Sequence, residues 1–105
     1  MTVDKGHRFL MEMETAISAA NREVIHSRIP AMTTEKILPF AVTVAKLRAQ
    51  YLEAAFQFSE LDNGDAMDDA RIQNLRKHRE MYEEARDAFG ALTHAIERGY
   101  VDIAD

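Results

Sequence analysis

The sequence predicts an all-α protein: an elongated antiparallel three-helix bundle in up-down-up order that dimerises. Apolar residues recur along most of the chain at alternating steps of three and four, which is the spacing of one helix face. The 105 residues include only four Gly and two Pro, which suits long helices better than strands and turns. The alternation of apolar and polar residues that marks a strand is missing over any run of six residues.

The chain has the length of one domain, and we expect a single helical-bundle domain over residues 1–105. Its helices are predicted at residues 4–28, 34–61 and 66–98. At ~1.5 Å per residue these helices would be roughly 38, 42 and 50 Å long, which makes an elongated bundle.

The first helix carries one apolar seam, which we expect to face the core. Its members recur at helical spacing: Leu10, Met13, Ile17, Ala20 and Val24. Asp4 is placed as the N-cap, because its carboxylate can accept hydrogen bonds from the free N–H groups of the first turn. Pro30 biases Ile29 towards extended geometry, so the helix should end there and the short linker should return the chain antiparallel.

The second helix is the most informative segment, because it is apolar on two faces. A first seam contains Ile37, Phe40, Val44, Leu47, Tyr51, Ala54, Phe58 and Leu61. A second series contains Leu38, Val42, Ala45, Ala49, Leu52 and Phe56. Together they span an arc of roughly 200°, about twice what a helix needs to lie on one core. We therefore expect the helix to be covered on nearly all sides, with its seams against the other two helices and its surplus surface against a second copy.

The start of the second helix leaves two alternatives. Thr33 or Thr34 can cap it, with Glu35 in the first turn. Pro39 either lies inside one bent helix or begins the main helix after a separate turn. We favour one helix with a bend.

The third helix follows a predicted turn at residues 62–65, where Gly64 permits positive φ and Asp65 can serve as the N-cap. Its seam contains Leu75, His78, Tyr82, Ala85, Phe89, Leu92 and Ile96. Gly90 interrupts this pattern, and Gly99 is the expected C-cap. We expect the tail to dock through Tyr100, Val101 or Ile103.

Composition argues against several functions. A formal net charge of −5 disfavours nucleic acid or an anionic membrane as the partner. The absence of cysteine excludes disulfides, thiolate metal sites and a cysteine nucleophile. The first nine residues lack the apolar core of a secretory signal, and no apolar run approaches the ~20 residues of a membrane span. We expect a cytoplasmic protein without a cofactor.

A metal site is the rival hypothesis. Glu23 and His26 have the Glu-x-x-His spacing that, in ferritin-like di-iron bundles, directs a carboxylate and an imidazole to one face. The chain holds no second copy of the motif, although dimerisation would supply one. Glu53 and His78 complete a candidate set of four residues, and an ordinary solvated pair is the simpler interpretation of the motif.

Two charged features have structural explanations as well as functional ones. Arg48 lies inside the apolar arc, so its head must either reach water or pair with a carboxylate from another helix or a second chain. The basic run at residues 76–79 could dock a partner protein. Its spacing to the following acidic residues (Arg79 to Glu83, Glu83 to Arg86) favours an exposed salt-bridged face instead.

The absence of a convergent polar constellation, beside surplus apolar surface, favours a non-enzymatic helical interaction protein: an adaptor, assembly factor or small regulatory partner. We expect a coiled-coil-like homodimer, with another protein as a further candidate partner. The predicted interface residues are Leu38, Val42, Ala45, Arg48, Ala49, Leu52 and Phe56. The alternative is a metal- or small-ligand-binding bundle, ferritin-like in style.

Overall fold

The protein is all-α, with three helices in the part of the chain that the structure describes. The structure, a computed structural model, describes residues 2–60 and 69–105, except for the side chains of residues 2 and 3. Helix α1 spans Thr2–Arg28, α2 spans Thr34–Ser59 and α3 spans Asp69–Glu97. These residues contain no strand, and one isolated parallel bridge pairs Met32 with Ile103. The predicted all-α class with three helices is therefore confirmed.

The two prolines have different effects on the helices. α1 ends at Arg28, two residues before Pro30, as predicted. α2 runs through Pro39 without interruption, so one helix is confirmed and a helix starting at Pro39 is wrong. The bend expected at Pro39 stays a prediction. The Thr43 hydroxyl donates to the Pro39 carbonyl oxygen at 2.9 Å within this helix.

The predicted N-cap of α1 is wrong. The helix already includes Thr2, so Asp4 lies within the first turn and not before it. A carboxylate at that position still complements the positive end of the helix dipole.

Gly99 terminates α3 as predicted. Its φ is 77°, a conformation that glycine adopts without steric cost. The Gly99 N–H donates to the Ile96 carbonyl (3.0 Å) and the Tyr100 N–H donates to the Ala95 carbonyl (2.8 Å), which is the Schellman pattern of helix ends. The helix continues through Gly90. The predicted turn at residues 62–65, Leu61 and the expected helix start at residue 66 lie outside the described residues.

The chain divides into two compact units. The first contains the described residues up to Thr34 together with Leu92–Asp105, and the second contains those from Glu35 to Ala91. Each unit therefore has its own packing. None of the helices, within the described residues, carries an apolar stretch long enough to cross a lipid bilayer.

In the first unit, α1 packs through a side that the sequence did not suggest. The five residues of its predicted core seam are all exposed. Ser18, Asn21 and Ile25, roughly 60–120° around the helix from the middle of that seam, are half-buried instead. Tyr100 and Val101 are buried, with 9% and 3% of their surface exposed, so the core of this unit forms around these two residues. Docking of the tail through these two residues is confirmed.

In the second unit, α2 and α3 pack through their predicted first seams. Phe40 meets Phe89 edge-on, with ring centroids 5.3 Å apart and planes at 69°. Tyr51 stacks on Tyr82 at 6.1 Å. Ala54 is buried and the other described members of the α2 seam are half-buried. Aromatic pairs of this kind contribute stability beyond that of the area they bury, so these contacts help to hold the two helices together.

Candidate interaction surface

The second apolar series of α2 lies open to solvent. Its large members are 58% (Leu38), 43% (Val42), 52% (Leu52) and 70% (Phe56) exposed, and Ala45 and Ala49 are exposed too. We call these six residues the α2 stripe. The stripe is centred about 150° around the helix from the covered seam, at about 100° per residue.

This exposure corrects an expectation. Within the described residues α2 is not covered on nearly all sides, and the large members of its second seam are exposed to solvent. One neighbouring helix covers an arc of only about 100°, and the apolar arc of α2 is about twice as wide. The sequence predicted the width of the arc correctly but not which half would find cover within the chain.

The α2 stripe is symmetric in residue size about Leu47. Ala45 and Ala49 lie two residues to either side of it, Val42 and Leu52 lie five to either side, and Leu38 and Phe56 lie nine to either side. The stripe therefore has small residues at its centre and larger ones towards both ends.

Arg48 lies at one edge of the stripe and is held by Tyr82. Its Nε donates to the Tyr82 hydroxyl oxygen at 3.0 Å, and its guanidinium carbon lies 5.2 Å from the centroid of the Tyr82 ring. Arg86 lies against the same ring, at 5.4 Å. Arg48 is exposed, so its head reaches water, the first of the two alternatives. Its partner within the chain is a phenol, and pairing with a carboxylate of a second chain stays a prediction.

A second exposed apolar surface lies on α1. Its large members are Leu10 (65% exposed), Met13 (43%), Ile17 (54%) and Val24 (54%), with Ala20 between them. We call these five residues the α1 stripe. They follow the alternating three-four spacing of a heptad seam, as the α2 stripe does. Sequence reasoning found these residues but assigned them to the core of the chain.

The C-terminal residues form a polar cluster with α1. Arg22 donates to both Asp102 carboxylate oxygens, at 3.1 and 3.3 Å, and to the Gly99 carbonyl oxygen. His26 Nε2 lies 3.3 Å from the Oδ2 oxygen of that carboxylate, which also accepts from Arg22. The hydrogen bond from Arg22 is the main cause that lowers the pKa of Asp102 below its ordinary value of 3.8. No sequence signal marked this pair, because its members are 80 residues apart.

Tyr100 anchors the same segment. Hydrogen bonds with Asn21 above all, and with Ser18 and Arg98, lower the pKa of its phenol to about 8. The Met32 N–H donates to the Asp102 carbonyl and the Ala104 N–H donates to the Met32 carbonyl, both at 2.8 Å. Both side-chain and backbone hydrogen bonds therefore hold the C-terminal residues in place.

Asp105 caps the N-terminus of α2. Its two carboxylate oxygens accept from the Thr34 N–H, at 3.2 and 3.1 Å, and hydrogen bonding to Thr34 lowers the pKa of Asp105. Thr34 is the first helical residue, so of the two predicted cap residues Thr34 is wrong and Thr33 occupies the position before the helix. A distant carboxylate provides the acceptor that a local side chain often supplies.

The four candidate metal ligands are not assembled within either unit. Glu23 is exposed, and His26 faces the Asp102 carboxylate. Glu53 and His78 belong to the second unit. Among residues 2–60 and 69–105, no three His, Asp or Glu side chains are placed to hold a metal ion.

The basic run of α3 has the pairing expected of an exposed helix face. Arg79 Nε lies 3.8 Å from a Glu83 carboxylate oxygen, as predicted. Arg86 pairs with Asp87 at 3.1 Å and not with Glu83, which corrects the second predicted pair.

The chain matches no protein-family model, no curated protein and no solved structure.

Proposed function

We propose that this protein is a non-enzymatic helical interaction protein that binds a second copy of itself through the α2 stripe. One observation carries the proposal: a heptad-spaced row of large apolar side chains lies exposed on the side of α2 opposite its packed seam. An apolar row of this length is costly to leave in water, and at this spacing it fits another helix.

The size symmetry of the stripe favours a second copy as the occupant. An antiparallel copy of α2, related by a two-fold axis near Leu47, would place Ala45 beside Ala49, Val42 beside Leu52 and Leu38 beside Phe56. A two-fold interface requires a surface that is complementary to itself, and this row meets that requirement. The alanines would let the helix axes approach closely at the centre, and the larger side chains would fill the space towards both ends.

An adaptor, an assembly factor and a small regulatory partner are all compatible with such a dimer. We keep the up-down-up order of the helices and a cytoplasmic location as parts of this proposal. The short linker between α1 and α2 supports the first and the cysteine-free composition supports the second.

The test compares two substitutions on α2 that introduce the same residue. Leu52→Asp places a carboxylate within the stripe, and Gln50→Asp places one on the exposed polar side of the same helix. Analytical ultracentrifugation over a range of concentrations should show a dimer for the wild type and for Gln50→Asp. Leu52→Asp should be monomeric, because the dimer would have to bury two unpaired carboxylates.

Far-ultraviolet circular dichroism of the same samples reports whether helicity persists. A wild-type protein that is monomeric at every concentration would refute the proposal. So would a Leu52→Asp protein that dimerises as tightly as Gln50→Asp.

A further inference from the structure

We infer that Arg48, Tyr82 and Arg86 form a binding site for a phosphate group, either inorganic phosphate or the phosphoryl group of a small organic molecule. We call these three residues the arginine–tyrosine cluster. All of them belong to the second unit, so one chain holds the whole site and the inference does not rest on the proposed dimer.

The cluster brings two guanidinium groups from different helices onto one phenol. The guanidinium carbons of Arg48, on α2, and Arg86, on α3, lie 5.2 and 5.4 Å from the centroid of the Tyr82 ring. The Arg48 Nε donates to the Tyr82 hydroxyl oxygen at 3.0 Å. Hydrogen bonding to Asp87 above all, and also to Tyr82, raises the pKa of Arg86 above its ordinary value. Both cations therefore interact with the same hydroxyl group.

The ring between the two arginines is fixed by its packing. Tyr82 is half-buried and stacks on Tyr51, with ring centroids 6.1 Å apart and planes at 24°. Arg48 contacts the ring through Nε, which leaves its terminal N–H groups for a ligand. A guanidinium that is already oriented loses less conformational freedom when it binds an anion, so this arrangement favours binding.

Positive charge exceeds negative charge at the cluster. Asp87 lies 3.1 Å from Arg86 Nε, but its side chain is 69% exposed, and exposed ion pairs of this kind contribute little. Among residues 2–60 and 69–105, Arg48 has no carboxylate within 4.0 Å. In a chain with a formal net charge of −5, this is a local excess of positive charge that attracts an anion.

The donors of the cluster suit phosphate better than a carboxylate. Guanidinium groups bind phosphate through paired N–H donors, and a phenol that accepts one hydrogen bond can still donate its own proton. A phosphate group offers at least three acceptor oxygens, whereas a carboxylate offers two. Its charge of about −1.5 to −2 at pH 7 also matches two cations, and Asp87 already supplies a single carboxylate.

Nuclear magnetic resonance of the arginine Nε–Hε groups tests the site in the wild-type protein. Inorganic phosphate and phenyl phosphate are added in separate titrations, each compared with sodium chloride at the same ionic strength. We expect the Arg48 and Arg86 signals to shift saturably, with a dissociation constant below about 1 mM. Tighter binding of phenyl phosphate would support an organic phosphate as the ligand, and equal or weaker binding would support inorganic phosphate.

Isothermal titration calorimetry of three variants assigns the binding to the cluster. Arg48→Gln should weaken phosphate binding at least about tenfold, since it removes charge-assisted hydrogen bonds, and Tyr82→Phe should weaken it by about threefold to tenfold. Arg76→Gln is the matched control, because it removes an exposed arginine of α3 six residues from Tyr82. Its affinity should stay within about twofold of wild type. Circular dichroism checks that each variant keeps its helicity.

Two results would overturn the inference. One is a pair of arginine signals that respond to phosphate only as they respond to sodium chloride, which needs no variant. The other is an equal loss of affinity in Arg48→Gln and Arg76→Gln, because phosphate would then respond to the net charge of the protein and not to the arginine–tyrosine cluster.

Discussion

The carboxylate of Asp102 lies between Arg22 and His26, and it accepts two hydrogen bonds from Arg22 across 80 residues of sequence. This contact, together with the backbone bridge to Met32, holds the C-terminal residues in place within the first unit. It joins a side chain near the C-terminal end of α1 to a segment that follows the last helix.

Protonating Asp102 should release this segment. Because the folded pKa lies below the ordinary value of 3.8, the stabilisation is fully present above pH 3.8 and is lost as the pH falls through the folded pKa. Asp102→Asn should release the segment at neutral pH. Hydrogen exchange at the Ala104 amide, which donates across the bridge, reports the release, and Asp87→Asn on the surface of α3 is the control. Unchanged protection of that amide in Asp102→Asn would show that Arg22 does not hold the segment.

Tyr100 should make stability depend on pH in the alkaline range. Its folded pKa of about 8 lies below the ordinary 10.0, so its contribution is fully present above pH 10.0 and is lost as the pH falls through about 8. The difference in unfolding free energy between wild type and Tyr100→Phe should therefore grow as the pH rises from about 8 to 10.0. Near-ultraviolet absorption should show one tyrosine ionising near pH 8 in the wild type and none there in Tyr100→Phe. A difference that is constant with pH would contradict this expectation.

Two glycine-to-alanine substitutions should have effects of opposite sign. A Cβ atom would meet open space at both Gly90 and Gly99. Gly99 has φ 77°, so Gly99→Ala should destabilise the protein by about 1 kcal/mol. Gly90 lies in the interior of α3, where Gly90→Ala should stabilise it by about 0.5–1 kcal/mol. Urea unfolding of both variants at one protein concentration measures the two signs, and equal signs would refute the conformational argument.

Salt should strengthen the proposed dimer. A two-fold axis near Leu47 brings the Lys46 side chains of the two copies close together at one edge of the α2 stripe and the Arg48 side chains at the other. Repulsion between exposed charges of the same sign is screened by salt, so the dissociation constant should fall as ionic strength rises. Lys46→Gln should tighten the dimer at low salt by about twofold to fivefold, equivalent to roughly 0.4–1 kcal/mol.

Lys77→Gln on α3 is the control for net charge, since it also removes one exposed lysine. A dimer that weakens with salt, or that responds equally to both lysine substitutions, would argue against the antiparallel arrangement.

Much of the local structure could be predicted because short-range chemistry decides it. Pro30 removes an N–H group and constrains Ile29, which is enough to predict the end of α1. Gly99 takes a backbone conformation that other residues avoid, so its role at the end of α3 was readable from one position. The first seam of α2 was readable from its period, and its contact with Phe89 and Tyr82 confirms it.

The errors share a physical cause. A heptad period shows that a helix face is apolar but not what covers it, so the exposed α1 stripe and the packed α2 seam look alike in sequence. The Asp105 cap of α2 is a contact between residues 71 apart, and no local pattern marks it. The same is true of Arg22 and Asp102.

The sequence by itself determined the helical class, the ends of the helices at Pro30 and Gly99, and the number of apolar faces on α2, since each depends on residues within a few turns of one another. Tertiary structure alone decided which of those faces is covered and where the C-terminal residues lie. A side chain's period along a helix is local, whereas its burial depends on whichever distant part of the chain, or second molecule, reaches that side first.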